Sequence, residues 1–274
     1  MDFAEYARDL DRLRPAEIGV SLPNLAALSR IDSTNRVART VAASFESEGL
    51  DVSPLLVLAF EQTGGRGRQG RSWSSPRGKG VYATLLLPLA ATDRLETLPL
   101  LVGVGLCRAL QRHLAPPCRL KWPNDLVVEF PSDSLAPGRS GRRKVGGVLI
   151  EATIQPESTG AAFIGFGVNH DQRADELPAG ATSLRLAAAD EVSLPALTWE
   201  LTASVLRELE HLGDAAYTVA AYRELSIHRP GDRLSCRVGD RLVEGTFRGF
   251  DDRGLLLLAS DEGEQRIAAG EVIE

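Results

Sequence analysis

The first 230 residues alternate compact apolar runs with segments whose apolar residues recur every three or four positions. Apolar runs predict buried strands at 55–60, 81–87, 145–154 and 161–168, and short strands are expected at 118–122 and 125–130. The three-to-four-residue recurrence predicts amphipathic helices after Ser33 or Thr34, either of which can cap the helix, and at 96–114, 197–212 and 215–225. Residues 1–24 form a short amphipathic lead-in. We therefore expect an α/β (α+β) domain with a mixed sheet flanked by helices.

From residue 228 onward the pattern changes to short alternating runs separated by glycine-containing turns. Four such runs are RLSCRV, RLVEGTFRGF, GLLLLAS and EQRIAA. Alternation between turn signals is typical of strands with one buried face. About five short strands of this kind predict a small SH3-like β-barrel. The two domains are expected at 1–228 and 229–274.

Composition and charge exclude several classes of protein. Hydrophobic residues make up 43% and charged residues 25%, the balance of a globular domain. The net charge of −6 argues against a dedicated nucleic-acid binder, and residues 231–274 carry ten acids against six bases. Three distant cysteines predict free thiols in a reducing compartment. With no signal peptide and no run of about 20 apolar residues, we expect a cytoplasmic protein without membrane contact.

Residues 61–80 break the pattern with glycines and basic residues and no hydrophobic period. Glycines let the backbone approach a ligand closely, and five bases against Glu61 give this segment a charge of +4. Those bases are Arg66, Arg68, Arg71, Arg77 and Lys79. Arginine matches carboxylate or phosphate oxygens, so the segment is a candidate anion-binding loop. A solvated basic loop or an RNA contact is the alternative, and neither a Walker A motif nor a GxGxxG turn is present.

Three further segments place polar groups at strand ends. Residues 121–125, KWPND, offer oxygens suited to a nucleotide or its Mg²⁺, although Pro-Asn-Asp is also ordinary turn chemistry. Lys144 precedes two glycines and either meets a carboxylate or α-phosphate or flanks a bulged edge strand. Residues 165–169 put glycines inside a strand that ends at Asn169.

Taken together, five motifs in this order resemble the biotin–protein ligase family. They are Ser33-Thr34-Asn35, GRGRQGRSW at 65–73, KWPND at 121–125, KVGGVLIE at 144–151 and GFGVN at 165–169. The resemblance covers about residues 30–185, and the family's small C-terminal domain accounts for 229–274. It implies a class II aminoacyl-tRNA-synthetase-like (biotin–lipoate ligase) fold. Only 32 residues precede Ser33, too few for the family's DNA-binding domain, so the resemblance implies the monofunctional type.

The resemblance also implies a reaction in two steps. Biotin and ATP give biotinyl-5′-AMP, and a lysine of a biotin carboxyl carrier protein then receives the biotinyl group. Biotin and ATP are substrates in this scheme, Mg²⁺ accompanies ATP, and no prosthetic group is expected. DNA is not an expected partner, and a monomer and a homodimer both stay open. A lipoate–protein ligase and a non-catalytic sensor of the adenylate are the alternatives.

The family's functional residues carry over by motif. The implied catalytic residues are Lys144, Arg66 and Arg68. The implied biotin-binding residues are Ser33, Thr34, Asn35, Gln62, Gly65, Arg66, Gly67, Arg68, Lys144 and Gly147. The implied nucleotide-binding residues are Arg68, Arg71, Trp73, Trp122, Asn124, Asp125 and Asn169, with Asp125 as the Mg²⁺ ligand. The chain departs from the family in the longer spacing from Asp125 to Lys144, which we expect to be a lengthened loop at 131–143.

Overall fold

Helices and strands are mixed along the chain in the computed structural model, which describes residues 1–16, 24–89, 95–131, 141–153, 160–188 and 190–273. The helices are α1 (Phe3–Arg12), α2 (Thr34–Ser47), α3 (Leu98–Leu110), α4 (Leu184–Ala187), α5 (Leu194–Leu209) and α6 (Ala215–Leu225). A first group of strands is β1 (Asn24–Leu28), β2 (Leu55–Ala59), β3 (Gly80–Leu89), β4 (Cys118–Lys121), β5 (Asp125–Glu129), β6 (Arg142–Thr153) and β7 (Gly160–Asn169). A second group is β8 (Arg233–Val238), β9 (Arg241–Phe250), β10 (Leu256–Ser260), β11 (Gly263–Ile267) and β12 (Glu271–Ile273).

The first group of strands forms one mixed sheet in the order β1-β2-β3-β7-β6-β5-β4. Strands β1 and β2 are parallel, and every other neighbouring pair is antiparallel. The predicted mixed α/β fold is therefore confirmed. The sequence interpretation missed β1, a short, half-buried edge strand that carries no turn signal of its own. The lead-in contains α1, whose N-terminus has an Asp2–Glu5 capping box.

The two faces of this sheet are covered differently. One face packs against α3 and α5, and eleven of the thirteen residues of α3 are buried, which is typical of a helix inside a core. On the other face, Ala38 and Ala42 of α2 pack against Phe163 of β7 and its neighbours. Helix α2 covers only part of this second face. The remainder is the floor of the cavity described below.

The second group of strands forms a five-stranded antiparallel sheet in the order β11-β10-β9-β8-β12. The five predicted strands are present, but no pairing between β11 and β12 closes them into a barrel within residues 190–273. The predicted domain boundary at 228/229 falls in the connection between α6, which ends at Leu225, and β8, which begins at Arg233.

The two sheets share one hydrophobic core. Phe250 of β9 packs edge-on against Tyr222 of α6, with ring centroids 5.3 Å apart. The indole N–H of Trp122 donates to the carbonyl of Gly254 at 3.2 Å, and the backbone N–H of Trp122 donates to Nε2 of His228. The C-terminal sheet is thus fixed to the corner that follows β4.

Two sequence-based expectations concern connecting segments. Most of the predicted loop at 131–143 lies outside the described residues, but Arg142 and Arg143 already belong to β6. Lys144 keeps its place in this strand, since β5 and β6 pair from Asp125–Gly147 to Glu129–Arg142. Across the described part of the chain, every helix is too short or too polar to cross a lipid bilayer.

Candidate active site

A cavity of about 360 Å³ lies on the open part of the second face of the sheet. Its walls come from the N-terminus of α2, the loop 62–75, the corner at 124–125 and the segment 172–181. Strands β6 and β7 supply its floor. Concave sites with a few convergent polar groups are typical ligand-binding sites.

Glycines make the floor flat enough for the cavity to exist. A Cβ atom at Gly165 would lie 2.5 Å from Oδ1 of Asn35, and one at Gly167 would lie 2.7 Å from Nε1 of Trp73. Contacts this short are not tolerated, so any side chain here would displace the residues that line the site. The glycines at 165 and 167 in this strand are therefore needed because only they leave room for the side chains that line the cavity.

The loop 62–75 is held in place by its own backbone. Isolated bridges pair Gln62 with Ser75 and Arg66 with Ser72, which makes the loop an irregular hairpin. At its tip a 3₁₀ turn, Arg68–Gly70, passes through the left-handed region at Gln69 (φ 56°) and Gly70 (φ 73°). A tight turn of this kind places Arg66 on one arm and Arg68 at the start of the tip, both lining the cavity.

Four hydrogen bonds fix the polar end of the cavity beside α2. Oε1 of Gln62 accepts the backbone N–H of Thr34 at 2.8 Å, and Nε2 of Gln62 donates to Oγ of Ser75 at 2.9 Å. The buried Thr84 lies 2.8 Å from Oγ1 of Thr34 and donates to Oδ1 of Asn35 at 2.6 Å. Ser33 occupies the N-cap position of α2, but its side chain forms no capping bond, so this buried hydroxyl is available to a ligand.

Asn35 is also anchored from outside the cavity. Its Nδ2 donates to Glu151 at 2.8 Å, and Arg39 pairs with the other oxygen of that carboxylate at 3.0 Å. Burial raises the pKa of Glu151, but the hydrogen bonds from Arg39 and Asn35 outweigh it, so the pKa lies below its usual value. The carboxylate is therefore ionised and accepts hydrogen bonds.

Lys144 brings a positive charge into the cavity. Its Nζ lies 2.6 Å from Oδ1 of Asp125, and it also sits 5.4 Å above the ring of Trp73. The paired carboxylate and the aromatic face hold the ammonium in one position over the floor. Lys144 can therefore meet an anionic ligand without first being ordered.

Arg68 reaches across the cavity to the opposite corner. Its guanidinium donates to Oδ1 of Asn124 at 3.2 Å, while Nδ2 of Asn124 donates to the carbonyl of Val148 at 2.8 Å. Burial lowers the pKa of Arg68, and the carboxylate of Asp125 opposes that shift. The side chain is thus a partly desolvated cation, which interacts more strongly with a buried anion than a solvated one does.

The C-terminal sheet contacts the same loop. Arg71, on the cavity wall, forms an ion pair with Glu271 of β12 at 2.6 Å. Arg68 also donates to the carbonyl of Gly270 at 3.5 Å. The second sheet therefore supports the arginine loop directly.

The wall opposite the loop is built on Asn169. Its Nδ2 donates to the carbonyl of Thr182, and its Oδ1 accepts from Nε2 of Gln172. Two buried polar atoms at the cavity have no partner within the described residues, namely Oε1 of Gln172 and Nε1 of Trp73. Neither atom is accessible from the cavity, and Nε1 of Trp73 faces Gly167 in the floor.

The structure brings most of the implied site residues together. Those that line the cavity are Ser33, Thr34, Asn35, Gln62, Arg66, Gly67, Arg68, Arg71, Trp73, Asn124, Asp125, Lys144, Gly147 and Asn169. Gly65 belongs to the loop 62–75 but does not line the cavity, and a Cβ there would lie 2.5 Å from the carbonyl oxygen of Trp73. Trp122 does not line the cavity, because its side chain is buried in the core and faces Gly254.

Sequence reasoning missed the residues that support the site from behind. Thr84 is fully buried, and its signal is a hydroxyl within an otherwise apolar strand. Glu151 was identified only as the last residue of a motif. Its role, which is to hold Asn35 of α2 by a hydrogen bond, depends on a contact that the sequence does not show. The segment 172–181 carried no recognisable pattern.

Comparison with known proteins shows the protein family to which this chain belongs. The biotin/lipoate A/B protein ligase family matches residues 27–169, and the biotin protein ligase C terminal domain matches residues 236–273. The chain therefore belongs to the biotin/lipoate A/B protein ligase family, and its second sheet corresponds to the C-terminal domain of biotin protein ligases.

The individual proteins that this chain resembles include biotin ligases. The biotin–[acetyl-CoA-carboxylase] ligase of Paracoccus denitrificans is 30% identical over 89% of this chain and 98% of the relative. The bifunctional ligase/repressor BirA of Salmonella typhimurium is 31% identical over 87% of this chain and 70% of the relative. The structure of biotin protein ligase from Aquifex aeolicus in complex with biotin and ATP is similar with a TM-score of 0.70. It is 25% identical, and the match covers 92% of this chain and 98% of that one.

Proposed function

We propose that this chain is a biotin–[carboxyl carrier protein] ligase. It activates biotin with ATP to biotinyl-5′-AMP and transfers the biotinyl group to a lysine of a biotin carboxyl carrier domain. The observation that carries the proposal is the cavity, where a polar pocket and a cationic region adjoin over a glycine floor. A neutral bicyclic ring fits the polar end, and a carboxylate and phosphates fit the cationic end.

The first step is displacement at phosphorus. A carboxylate oxygen of biotin attacks the α-phosphorus of ATP, and the bond to the bridging oxygen breaks as pyrophosphate leaves. Lys144 stabilises negative charge on the carboxylate and the α-phosphate, and Arg66 and Arg68 do so from the loop. Asp125 positions Lys144 through their ion pair.

The second step is acyl transfer. The neutral amine of the acceptor lysine attacks the carbonyl carbon of the mixed anhydride, AMP leaves with the bonding electron pair, and the amine loses a proton. Arg66 and Arg68 close over the adenylate and exclude water, which would otherwise hydrolyse the intermediate. The acceptor is a carrier domain of a biotin-dependent carboxylase.

The nucleotide lies against Trp73, Arg71 and Asn169. Trp73 supplies an aromatic surface for it, and Arg71 supplies a positive charge. Asn124 acts through Arg68, because both ends of its amide are already bonded. Trp122 does not contact the nucleotide. It supports the site indirectly, because its hydrogen bonds to His228 and Gly254 fix the corner that carries Asn124.

Mg²⁺ fits this cavity as a companion of ATP. Mg²⁺ is commonly bound by one or two carboxylates together with phosphate oxygens and water. Asp125 is the carboxylate beside Lys144 in the cavity, and one of its oxygens is engaged with Lys144, so the other would hold the ion. When bound, Mg²⁺ neutralises phosphate charge.

The alternative substrate is lipoate, because the family includes both kinds of ligase. The match of the second sheet to the biotin protein ligase C-terminal domain favours biotin. Hydrogen-bonding groups at Thr34, Gln62 and Ser33 favour a ring that carries polar atoms, which a dithiolane ring does not offer.

The test is the intact mass of a biotin carboxyl carrier domain after incubation with this protein, MgATP and biotin. A parallel reaction contains lipoate in place of biotin. We expect a gain of one biotinyl group and no gain with lipoate. Biotin-dependent pyrophosphate release without transfer indicates another acceptor, whereas transfer of lipoate, or no pyrophosphate release at all, contradicts the proposal.

A further inference from the structure

A buried hydroxyl beneath the cavity joins the residues that form its polar end. Thr84 of β3 is fully buried and does not line the cavity. Its Oγ1 lies 2.6 Å from Oδ1 of Asn35 and 2.8 Å from Oγ1 of Thr34. Thr84 therefore contacts two cavity residues that are adjacent in sequence, through the hydroxyl group of one and the amide oxygen of the other.

The direction of these hydrogen bonds follows from counting protons. Nδ2 of Asn35 must face the carboxylate of Glu151, which is ionised and only accepts. Oδ1 of Asn35 must then face Thr84, and as a carbonyl oxygen it can only accept. The single proton of Thr84 is therefore committed to Asn35, and Thr84 offers only a lone pair to Thr34.

The consequence reaches the cavity through Thr34. Its hydroxyl proton has two acceptors, Oγ1 of Thr84 at 2.8 Å and Oε1 of Gln62 at 3.2 Å. Thr84 is the nearer acceptor, and Oε1 of Gln62 already accepts the backbone N–H of Thr34 at 2.8 Å. With Thr84 in place the proton of Thr34 points into the protein, and Thr34 presents only a lone pair to the cavity. Gln62 presents the opposite polarity, because its Oε1 already accepts the N–H of Thr34 and its Nε2 retains one free proton.

We infer that Thr84 is a positioning residue that fixes the polarity of the polar pocket, with an acceptor at Thr34 and a donor at Gln62. This inference rests on the proposed function and deepens it. A cyclic urea has ring N–H donors beside a carbonyl acceptor, so it matches this arrangement. A ring without an N–H group leaves the Thr34 lone pair unpaired, which weakens binding.

The test compares Thr84→Val, Thr84→Ser and Thr202→Val with the wild type. Valine has nearly the shape of threonine but lacks the hydroxyl, whereas serine keeps it. Thr202 is the matched control, because it is also fully buried and hydrogen-bonded, but to its own helix α5. Biotin affinity is measured by calorimetry without ATP, and KM for biotin and for ATP by pyrophosphate release.

We expect Thr84→Val to weaken biotin binding about tenfold, which is the loss of one well-placed hydrogen bond. KM for ATP should match that of Thr202→Val, and Thr84→Ser should bind biotin within about twofold of the wild type. A merely structural role would raise both KM values together.

Three outcomes overturn the inference while leaving the proposed function intact. These are unchanged biotin affinity in Thr84→Val, an equal rise of both KM values, and failure of Thr84→Ser to restore binding. A wild-type protein that neither binds biotin nor releases pyrophosphate with it overturns the proposed function first, and the inference falls with it.

Discussion

Opposite charges at Asp125 and Lys144 hold each other in the cavity before any ligand arrives. Their atoms are 2.6 Å apart, and both side chains are only about one-third exposed or less. An ammonium group has three N–H donors, so Lys144 can bind a phosphate or carboxylate while it keeps its contact with Asp125. Binding therefore does not require the side chain to be ordered anew.

Lys144→Ala is expected to leave the fold intact and reduce adenylation at least about a hundredfold, because no other ammonium replaces it at the α-phosphate. The measurement is biotin-dependent pyrophosphate release, with circular dichroism as the control for folding. Lys144→Arg keeps the charge and should retain more activity than Lys144→Ala. A near-native rate in Lys144→Ala would remove this residue from the mechanism.

Among the elements, the loop 62–75 links the two sheets of the molecule. Two isolated bridges give it shape, Arg71 attaches it to Glu271 of β12, and Arg68 attaches it to the carbonyl of Gly270 just before that strand. The loop thus has fixed ends, a tight turn at its tip and side-chain contacts on both sides of the cavity. We expect these contacts to make it a cover that retains the adenylate.

Arg68→Gly is expected to let biotinyl-AMP escape into solution, because the contact with Asn124 across the cavity is lost. Free adenylate is measured by chromatography after filtration, relative to pyrophosphate released. Arg77→Gly is the matched control in the same segment, since it removes an arginine outside the cavity. If Arg68→Gly leaks no more adenylate than Arg77→Gly, the loop does not retain the intermediate.

Sequence patterns predicted the elements that are continuous and strongly apolar, such as β3 and β7, and the motifs at their ends. They missed β1, since half-buried edge strands leave a weak pattern. Trp122 was assigned to nucleotide binding because it belongs to the KWPND motif, but the proline corner turns its side chain and that of Asn124 to different sides. Thr84 was missed because its partners are about 50 residues away along the chain.

At the scale of the whole molecule, the two sheets are joined by one hydrophobic core. Phe247 and Phe250 of the second sheet belong to the same core as α3 and α5 of the first. His228 lies at this junction, is 3% exposed, and accepts a hydrogen bond from the backbone of Trp122 at Nε2. The neutral imidazole of His228 therefore helps to join the two sheets, through its hydrogen bond with the backbone of Trp122.

Stability should fall in mild acid because of His228. Burial, helped by the positive charges of Lys121 and Arg142, lowers its pKa to about 4, whereas the unfolded value is 6.5. Between these values the unfolded chain binds the proton and the folded protein does not. The contribution of neutral His228 to the free energy of unfolding is complete above pH 6.5. It is lost as the pH falls toward 4, by about 3 kcal/mol in all.

Urea unfolding at pH 7.5 and pH 5 measures this loss, which should reach about 2 kcal/mol at the lower pH. His228→Gln keeps an acceptor for Trp122 but cannot be protonated, so its stability should vary less with pH. His211→Gln, at an exposed histidine, is the control and should behave like the wild type. Equal pH dependence in His228→Gln and the wild type would contradict the assignment.

The glycine floor sets a limit on redesign of this protein. Because Gly165 and Gly167 already lack side chains, no substitution there can deepen the cavity, and every substitution fills it. Even alanine at Gly165 would occupy the space that Asn35 uses, and so would displace a residue that lines the cavity. A variant that accepts a bulkier acid must therefore gain its space from the walls, at the loop 62–75 or the segment 172–181.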